Sequence, residues 1–307
     1  MSYKKWGVNM VHILYNPKSN CGKDFDNVLS DVKDYFKSEE QNAVDITTVE
    51  DTKALFDTFS DSDDVVLVGG DGTLNVLCNN LRGYDIKNRL FLFKAGSGND
   101  FLRDVQCNFE SMEKAVQINE YIENLPVVTV KGKEYLFINN VGFGIDGKVC
   151  TAAEDLREKG KKNINYTTLA IKLLLTSYKS NGAKVTVDSK SRRFKKVWLA
   201  PVMNGLYYGG GMMPTPQQDR NGDELSCCVV HSTNAIQTLI LFPSLFKGEH
   251  IKKEKKVKVM SGKEIKVEFD TPQDVQIDGE IIRDVTEISV KKYSSVKERD
   301  EKLFAKK

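Results

Sequence analysis

The 307-residue sequence predicts an α/β plus β architecture, an N-terminal doubly wound α/β domain over residues 1–125 and a C-terminal antiparallel β-sandwich over residues 126–293. Three observations carry this expectation. Strand-like apolar runs alternate with helix-spaced apolar residues through the first 125 positions. From Pro126 onward short strand-like runs recur with only two helical interruptions. The chain is also too long for one ordinary core and suits two.

The elements follow in order. Met10 to Tyr15 is an apolar strand that ends in the polar turn from Asn16 to Gly22. From Asp24, the residues Phe25, Val28, Leu29, Val32 and Phe36 form one face of a helix. Val44–Thr48 reads as a short strand and Thr52–Phe59 as a helix. Val65, Val66, Leu67 and Val68 make a buried strand that stops at Gly69-Gly70-Asp71-Gly72, after which Leu74, Leu77 and Leu81 stand at helical spacing. Leu90–Phe93 is another strand and runs into the loop Ala95-Gly96-Ser97-Gly98-Asn99-Asp100-Phe101. Strands that alternate with helices imply a parallel sheet, whose ligands lie beyond the carboxyl ends of the strands. The three polar loops all follow strands, so they should gather on one edge.

The polar stretch Asn119–Asn124 and Pro126 mark the boundary between the domains. Strands are then expected at Val127–Val130, Tyr135–Asn139, Lys184–Val187, Val197–Met203, Leu225–His231, Val257–Met260, Ile265–Phe269, Val275–Ile277 and Val285–Val290. Helices are expected near Asn163–Ser180 and Asn234–Phe246. Residues 294–307 are charged and read either as a tail or as a segment returning to the first domain.

Composition narrows the function classes. With 40% hydrophobic and 29% charged residues the chain has a globular, not a disordered, profile. The net charge of +2 conceals a division: residues 1–125 hold 13 basic and 21 acidic side chains, and the remainder hold 32 and 22. A basic second half favours an anionic partner surface. Six cysteines form no C-x-x-C pair, and His12, His231 and His250 show no ligand spacing, so a reducing, cytoplasmic setting without structural zinc is expected. No signal-peptide core follows Met1, and no window approaches 18 uninterrupted apolar residues. The basic half lacks interleaved aromatic residues and any helix-turn-helix pattern, which argues against a nucleic-acid partner.

The glycine-rich turn carries the chemistry. Glycines let a ligand approach the backbone, and the following helix N-terminus offers unpaired N–H groups to phosphate. Asp71 would repel a bare phosphate and makes sense if Mg²⁺ bridges the two. The pattern points to a nucleotide and to phosphoryl transfer.

Asn16-Pro17-x-Ser19, Gly69 to Asn75, Gly96 to Phe101 and Asp278-Gly279-Glu280 occur in the order seen in the diacylglycerol kinase catalytic family, and the chain resembles its bacterial lipid kinases. Asn139 to Gly144 and the stretch from Asn204 through Gly209-Gly210-Gly211 to Pro214 also fit, so the resemblance covers essentially the whole sequence. It implies an ATP- and Mg²⁺-dependent lipid kinase that converts a diacylglycerol-like alcohol to a phosphatidic-acid-like product. By the same resemblance Asn16, Ser19, Thr48, Gly69, Gly70, Gly72, Thr73, Asn75, Gly96, Ser97, Gly98 and Asn99 would surround ATP, with Thr47 an equal candidate beside Thr48. Asp71 would hold or orient Mg²⁺. Asp278 would accept the proton of the lipid hydroxyl, and Glu280 would orient Asp278 or help to bind metal. An Asp-Gly pair is also the usual composition of a plain hairpin turn.

The stretch Gln217 to Ser226 departs from the family, which carries Asp-Asp-Gly there, then two apolar residues and Asp, around a structural Mg²⁺. Here Gly222 and Asp223 stand in swapped order and Ser226 replaces the later acid, leaving Asp219 and Asp223 as candidate oxygen ligands or as a solvated turn. NAD kinases share Gly-Gly-Asp-Gly-Thr, but Leu74-Asn75, the second loop and the late Asp-Gly-Glu favour the lipid enzyme. Gly69 and Asp100 argue against the sphingosine and ceramide kinases. A nucleotide- or lipid-binding regulator without turnover is the alternative of a different class, and the intact Asp71, Asp278 and Glu280 speak against it. The apolar run Leu239–Phe246, followed by Lys247, Lys252, Lys253, Lys255, Lys256 and Lys258, suits peripheral contact with an anionic membrane, or else packs in the core beneath a lysine-coated strand. Exposed strands of the second domain leave room for a homodimer.

Overall fold

A computed structural model describes residues 10–17, 25–37, 41–95, 99–106, 113–161, 164–295 and 298–299. The chain divides into two compact units, Met1–Glu123 and Asn124–Lys307.

The first unit contains β1 (Val11–Tyr15), α1 (Phe25–Phe36), β2 (Gln41–Asp45), a 3₁₀ turn (Ile46–Thr48), α2 (Thr52–Phe56), β3 (Asp64–Gly69), α3 (Asp71–Asn80), β4 (Arg89–Lys94), α4 (Asp100–Val105), β5 (Ala115–Gln117) and α5 (Asn119–Ile122). The sheet order is β2-β1-β3-β4-β5. The first four strands are parallel, and β5 adds an antiparallel edge that the periodicity did not reveal. Val11, Ile13, Val66, Val68 and Phe93 pack with Val32 of α1 in the core.

Two local findings differ from the expected elements. β2 lies three residues earlier than the expected Val44–Thr48 strand, because Asp45 Oδ1 accepts hydrogen bonds from Thr47 N at 2.9 Å and Thr47 Oγ1 at 2.7 Å and winds Ile46–Thr48 into a 3₁₀ turn. The loop after β4 continues into α4, whose first amides are capped by a side chain from another element, described below.

The second unit contains β6 (Val127–Val130), β7 (Lys133–Leu136), β8 (Asn140–Phe143), α6 (Ile145–Glu158), α7 (Tyr166–Thr176), β9 (Asn181–Val187), β10 (Lys190–Val197), β11 (Val202–Met203), β12 (Leu225–Val230), α8 (Ala235–Leu245), a 3₁₀ turn (Glu249–Lys252), β13 (Val257–Gly262), β14 (Glu264–Ile277) and β15 (Glu280–Lys291). The strands run antiparallel in the order β13-β12-β11-β8-β14-β15-β6-β7, with β9 and β10 branching from β14. β14 makes the branch. Its first half, Ile265–Phe269, pairs with β9 and its second half, Val275–Ile277, pairs with β8, while β15 follows it on both sides of the irregularity. A strand that changes partners at a bulge turns one sheet into two layers, and the inward faces of those layers supply the sandwich core of Phe137, Val141, Phe143, Val185, Val267 and Ile288. The two strands expected at Ile265–Phe269 and Val275–Ile277 are thus one.

β12 is buried at every position. Its alternation sends Cys227 into the sandwich core and Cys228 to the opposite face, where α6, α7 and α8 pack through Val149, Leu173, Leu174, Leu241 and Leu245. α6, absent from the expected elements, docks on β14 so closely that a Cβ on Gly147 would lie 1.9 Å from the Asp274 carbonyl oxygen. Thr151 Oγ1 donates to Asp274 Oδ2 at 2.8 Å in the same contact. The described cysteines Cys78, Cys150, Cys227 and Cys228 form no disulfide.

Candidate active site

In the first unit the carboxyl ends of the parallel strands bring several expected residues to one edge. Asn16 follows β1, Thr48 ends the turn after β2, and Gly69 to Asn75 join β3 to α3. Asn16 Nδ2 donates to Thr73 Oγ1 at 3.0 Å and so ties two of these loops together. That bond requires glycine at position 69, where a Cβ would stand 2.7 Å from Thr73 Cβ. At Gly70 and Gly72 a Cβ would meet nothing within 4 Å, and both stand at the start of α3, whose leading amides have no acceptor within the helix. Thr48 Oγ1 is engaged by Asp45 O at 2.9 Å, and Asn75 is buried, with its oxygens accepting from Asn79 Nδ2. Ser19, Gly96, Ser97 and Gly98 lie outside the described residues.

Asp71 has a structural partner that sequence alone did not indicate. Its Oδ2 accepts from Asp100 N at 2.9 Å and its Oδ1 from Phe101 N at 3.2 Å, so the carboxylate caps α4. Asn99, the residue before α4, adopts the left-handed conformation (φ 48°) and makes no side-chain cap of its own. Asp71 therefore stands at the start of α3 and fixes the start of α4. Its carboxylate fits a site where Mg²⁺ lies between an acid and substrate phosphates, since that ion is commonly held by one or two carboxylates together with phosphate oxygens.

Asp278 lies in the second unit, in a two-residue turn between the paired residues Ile277 and Glu280. Both turn residues have positive φ, 47° at Asp278 and 101° at Gly279, as a type I′ hairpin demands. The hairpin reading of Asp-Gly is therefore correct as geometry, yet the side chain does more. Oδ1 accepts from Asn139 N at 2.9 Å and Asn140 N at 3.0 Å, and Oδ2 accepts from Ile138 N at 2.5 Å. These amides hold the Asp278 carboxylate, and Glu280, expected to orient it or to help bind metal, is exposed at the start of β15.

Behind Ile138–Asn140 lies a buried polar network that sequence reasoning missed. Arg220 donates to Ile138 O at 2.6 Å and to Asn139 Oδ1 at 2.7 Å. Lys292 Nζ donates to Arg220 O at 2.7 Å and to Asn204 Oδ1 at 3.1 Å, and Asn204 Nδ2 returns to Ile138 O at 3.0 Å. Burial, followed by repulsion from Arg220, lowers the Lys292 pKa to about 8. Nothing in the sequence separates these two buried cations from the many exposed ones.

This network bears on the candidate metal ligands Asp219 and Asp223. Both are exposed: Asp219 Oδ1 closes a turn by accepting from Asn221 N at 2.9 Å, and Asp223 stands 3.8 Å from Lys263 Nζ. Within the loop, Arg220 O accepts from the Lys292 ammonium, and Asp219 O and Glu224 O accept from Gln218 Nε2 at 3.1 and 3.0 Å. Among the described residues no three His, Cys, Asp or Glu side chains come together to hold a metal. Asp219 and Asp223 are thus surface acids whose charge is felt by the buried Lys292 ammonium.

One further acid is set apart by its surroundings. Asp146, in the first turn of α6, is half-buried beneath the helices, and its burial raises its pKa to about 7, although Tyr208 donates its hydroxyl to Oδ1 at 3.1 Å and lies 3.2 Å from Oδ2.

Comparison with known proteins assigns the scaffold. The diacylglycerol kinase catalytic domain model matches residues 10–130, and the model described as the YegS C-terminal NAD kinase beta sandwich-like domain matches residues 139–291. The chain belongs to the diacylglycerol kinase catalytic family. Within that family it is 27% identical over 195 residues to a protein named diacylglycerol kinase from Mycobacterium tuberculosis. The match covers 62% of this chain and 62% of that relative's length. A crystal structure of a diacylglycerol kinase from Bacillus anthracis str. Sterne superposes with a TM-score of 0.61 at 20% identity, covering 94% of this chain and 96% of the other, and so shares the fold.

Proposed function

We propose that this family member is a lipid kinase that transfers the γ-phosphate of ATP to the hydroxyl of a diacylglycerol-like lipid and releases a phosphatidic-acid-like product. The observation that carries this reading is the Asp278 carboxylate, anchored on three backbone amides in a left-handed turn. Three fixed donors keep the carboxylate in one orientation, as a positioned base needs if it is to receive an alcohol proton. The leading amides of α3, with open space beside Gly70 and Gly72, suit phosphate oxygens, and the α3 N-terminus adds its partial positive charge. Mg²⁺, held by Asp71, would neutralise charge on the transferred group. Arg220 and Lys292 act behind the base by fixing Ile138 and Asn139, whose amides in turn fix Asp278.

The test is transfer of labelled γ-phosphate from ATP, with and without Mg²⁺, to diacylglycerol, monoacylglycerol, ceramide and sphingosine in mixed micelles and to NAD in buffer. A metal-dependent, chloroform-soluble product is expected from a glycerolipid. Label on NAD alone would replace this reading with that of an NAD kinase. ATP binding without transfer to any acceptor would move it to a binding role.

A further inference from the structure

We infer that the outward face of α8 is the surface by which this protein docks on an anionic lipid bilayer. The inference rests on the lipid-kinase reading and adds to it a location. α8 is apolar nearly all round, a composition that ordinarily belongs to a helix enclosed on every side. It is not enclosed. Thr238, Leu241 and Leu245 face the core, whereas Ile236 is 63% exposed, Ile240 74% and Phe246, just past the helix, 36%. Ile236, Ile240, Pro243 and Lys247 fall on one stripe at helical spacing, all of them exposed. Among the described residues seven large hydrophobic side chains are exposed, and three of them, Ile236, Ile240 and Phe246, lie along α8 and its end. That concentration marks a covered surface, since scattered exposed apolar residues would need no explanation.

Charge selects what covers it. Lys247 follows the apolar stripe, and Lys252, Lys253, Lys255 and Lys258 are exposed in the turn and strand beyond, against Glu249 and Glu254. Lysines flanking an apolar helix face can keep their ammonium groups among anionic headgroups while their stems cover apolar surface. A second copy of this chain would bring the same lysines against themselves, which disfavours a self-complementary contact. The expectation that Leu239–Phe246 either docks or packs is therefore divided by residue: Leu241 and Leu245 pack, and the stripe through Ile240 is left for the membrane.

Sedimentation of the full chain with phosphatidylglycerol or phosphatidylcholine vesicles tests this, with I236S/I240S and K252E/K253E as variants of residues outside the catalytic machinery. The wild type should partition onto the anionic vesicles and lose that partition as salt is raised. Each double variant should weaken it by about tenfold or more. Both should keep the wild-type thermal midpoint and the wild-type turnover on a short-chain acceptor dispersed in solution. Undiminished partition of both variants, or equal binding to the two lipids, would overturn the proposal. So would light scattering that shows I236S/I240S splitting a dimer while its vesicle binding is unchanged. Partition that follows the expected pattern in a protein that phosphorylates no lipid would uphold the docking face and remove the kinase reading.

Discussion

Asp278 combines two roles that compete in any substitution. Its oxygens accept three amides from Ile138–Asn140, so removing the carboxylate removes a base and also releases the segment that Arg220 grips from behind. Asp278→Asn keeps the size and one acceptor oxygen but cannot take up a proton at neutral pH. It should lower kcat by about 10²–10⁴-fold with little change in ATP affinity, measured by steady-state kinetics beside equilibrium nucleotide binding. Lys292 gives a contrasting case. Lys292→Met leaves Asn204 Oδ1 and Arg220 O without that donor and should cost about 2 kcal/mol by chemical denaturation. If Asp219 and Asp223 are plain surface acids, Mg²⁺ added without nucleotide should leave the wild-type melting of the second unit unchanged. A rise in its midpoint with Mg²⁺ would show that the loop around Asp219 does bind the ion. Asp71 was legible because it stands among glycines, where a lone acid is conspicuous, whereas Asp278 stood out only through the family resemblance, since Asp278-Gly279 alone reads as a hairpin turn. Arg220 and Lys292 were not, because burial is a property of the folded environment and leaves no mark on a single basic residue.

At the level of elements, strands built from β-branched runs were legible, and those whose formation depends on distant groups were not. β3 and β12 announce themselves by the apolar runs Val65–Val68 and Cys227–Val230 and are buried throughout. α4 depends on a cap from Asp71, 29 positions upstream, so its own sequence reads as a loop. β14 carries Asp270-Thr271-Pro272 in its middle, composition typical of a turn, yet β15 bridges the interruption and keeps it one strand. α6 follows the glycine-rich end of β8 and was not foreseen, and its Gly147 permits close packing on β14. Gly147→Ala tests this. The new methyl would fall on the Asp274 carbonyl, so α6 must lift from β14, and a loss of about 2–3 kcal/mol of stability is expected in denaturant unfolding.

For the whole second unit, two buried ionisable groups shape stability in opposite directions. Folded Asp146 holds its proton up to a pKa of about 7, above the ordinary value of 3.8, so its contribution is complete at low pH and is lost as pH rises toward 7. Folded Lys292 releases its proton near 8, below the ordinary 10.5, so stability is regained as pH climbs between those values. Together they place a minimum between the two folded pKa values. No carboxylate or cation is hydrogen-bonded to Asp146 among the described residues. The groups felt around it are the Tyr208 and Tyr178 hydroxyls and the Cys150 and Cys228 thiols. Asp146→Asn should therefore flatten the acid limb and raise stability at pH 8 by on the order of 3 kcal/mol, read from denaturation curves across pH. An unchanged acid limb would mean that Asp146 is solvated when folded.

The continuous β14–β15 ribbon has a consequence for descent. Asp278 sits at its tip, and the distance from the bulge to the tip is counted in residues that alternate between faces. One residue gained or lost between Val275 and Asp278 would invert that count and turn the carboxylate away from the Ile138–Asn140 amides. Surface loops of this protein can drift in length over generations, whereas this ribbon works as a ruler whose graduations inheritance must leave alone.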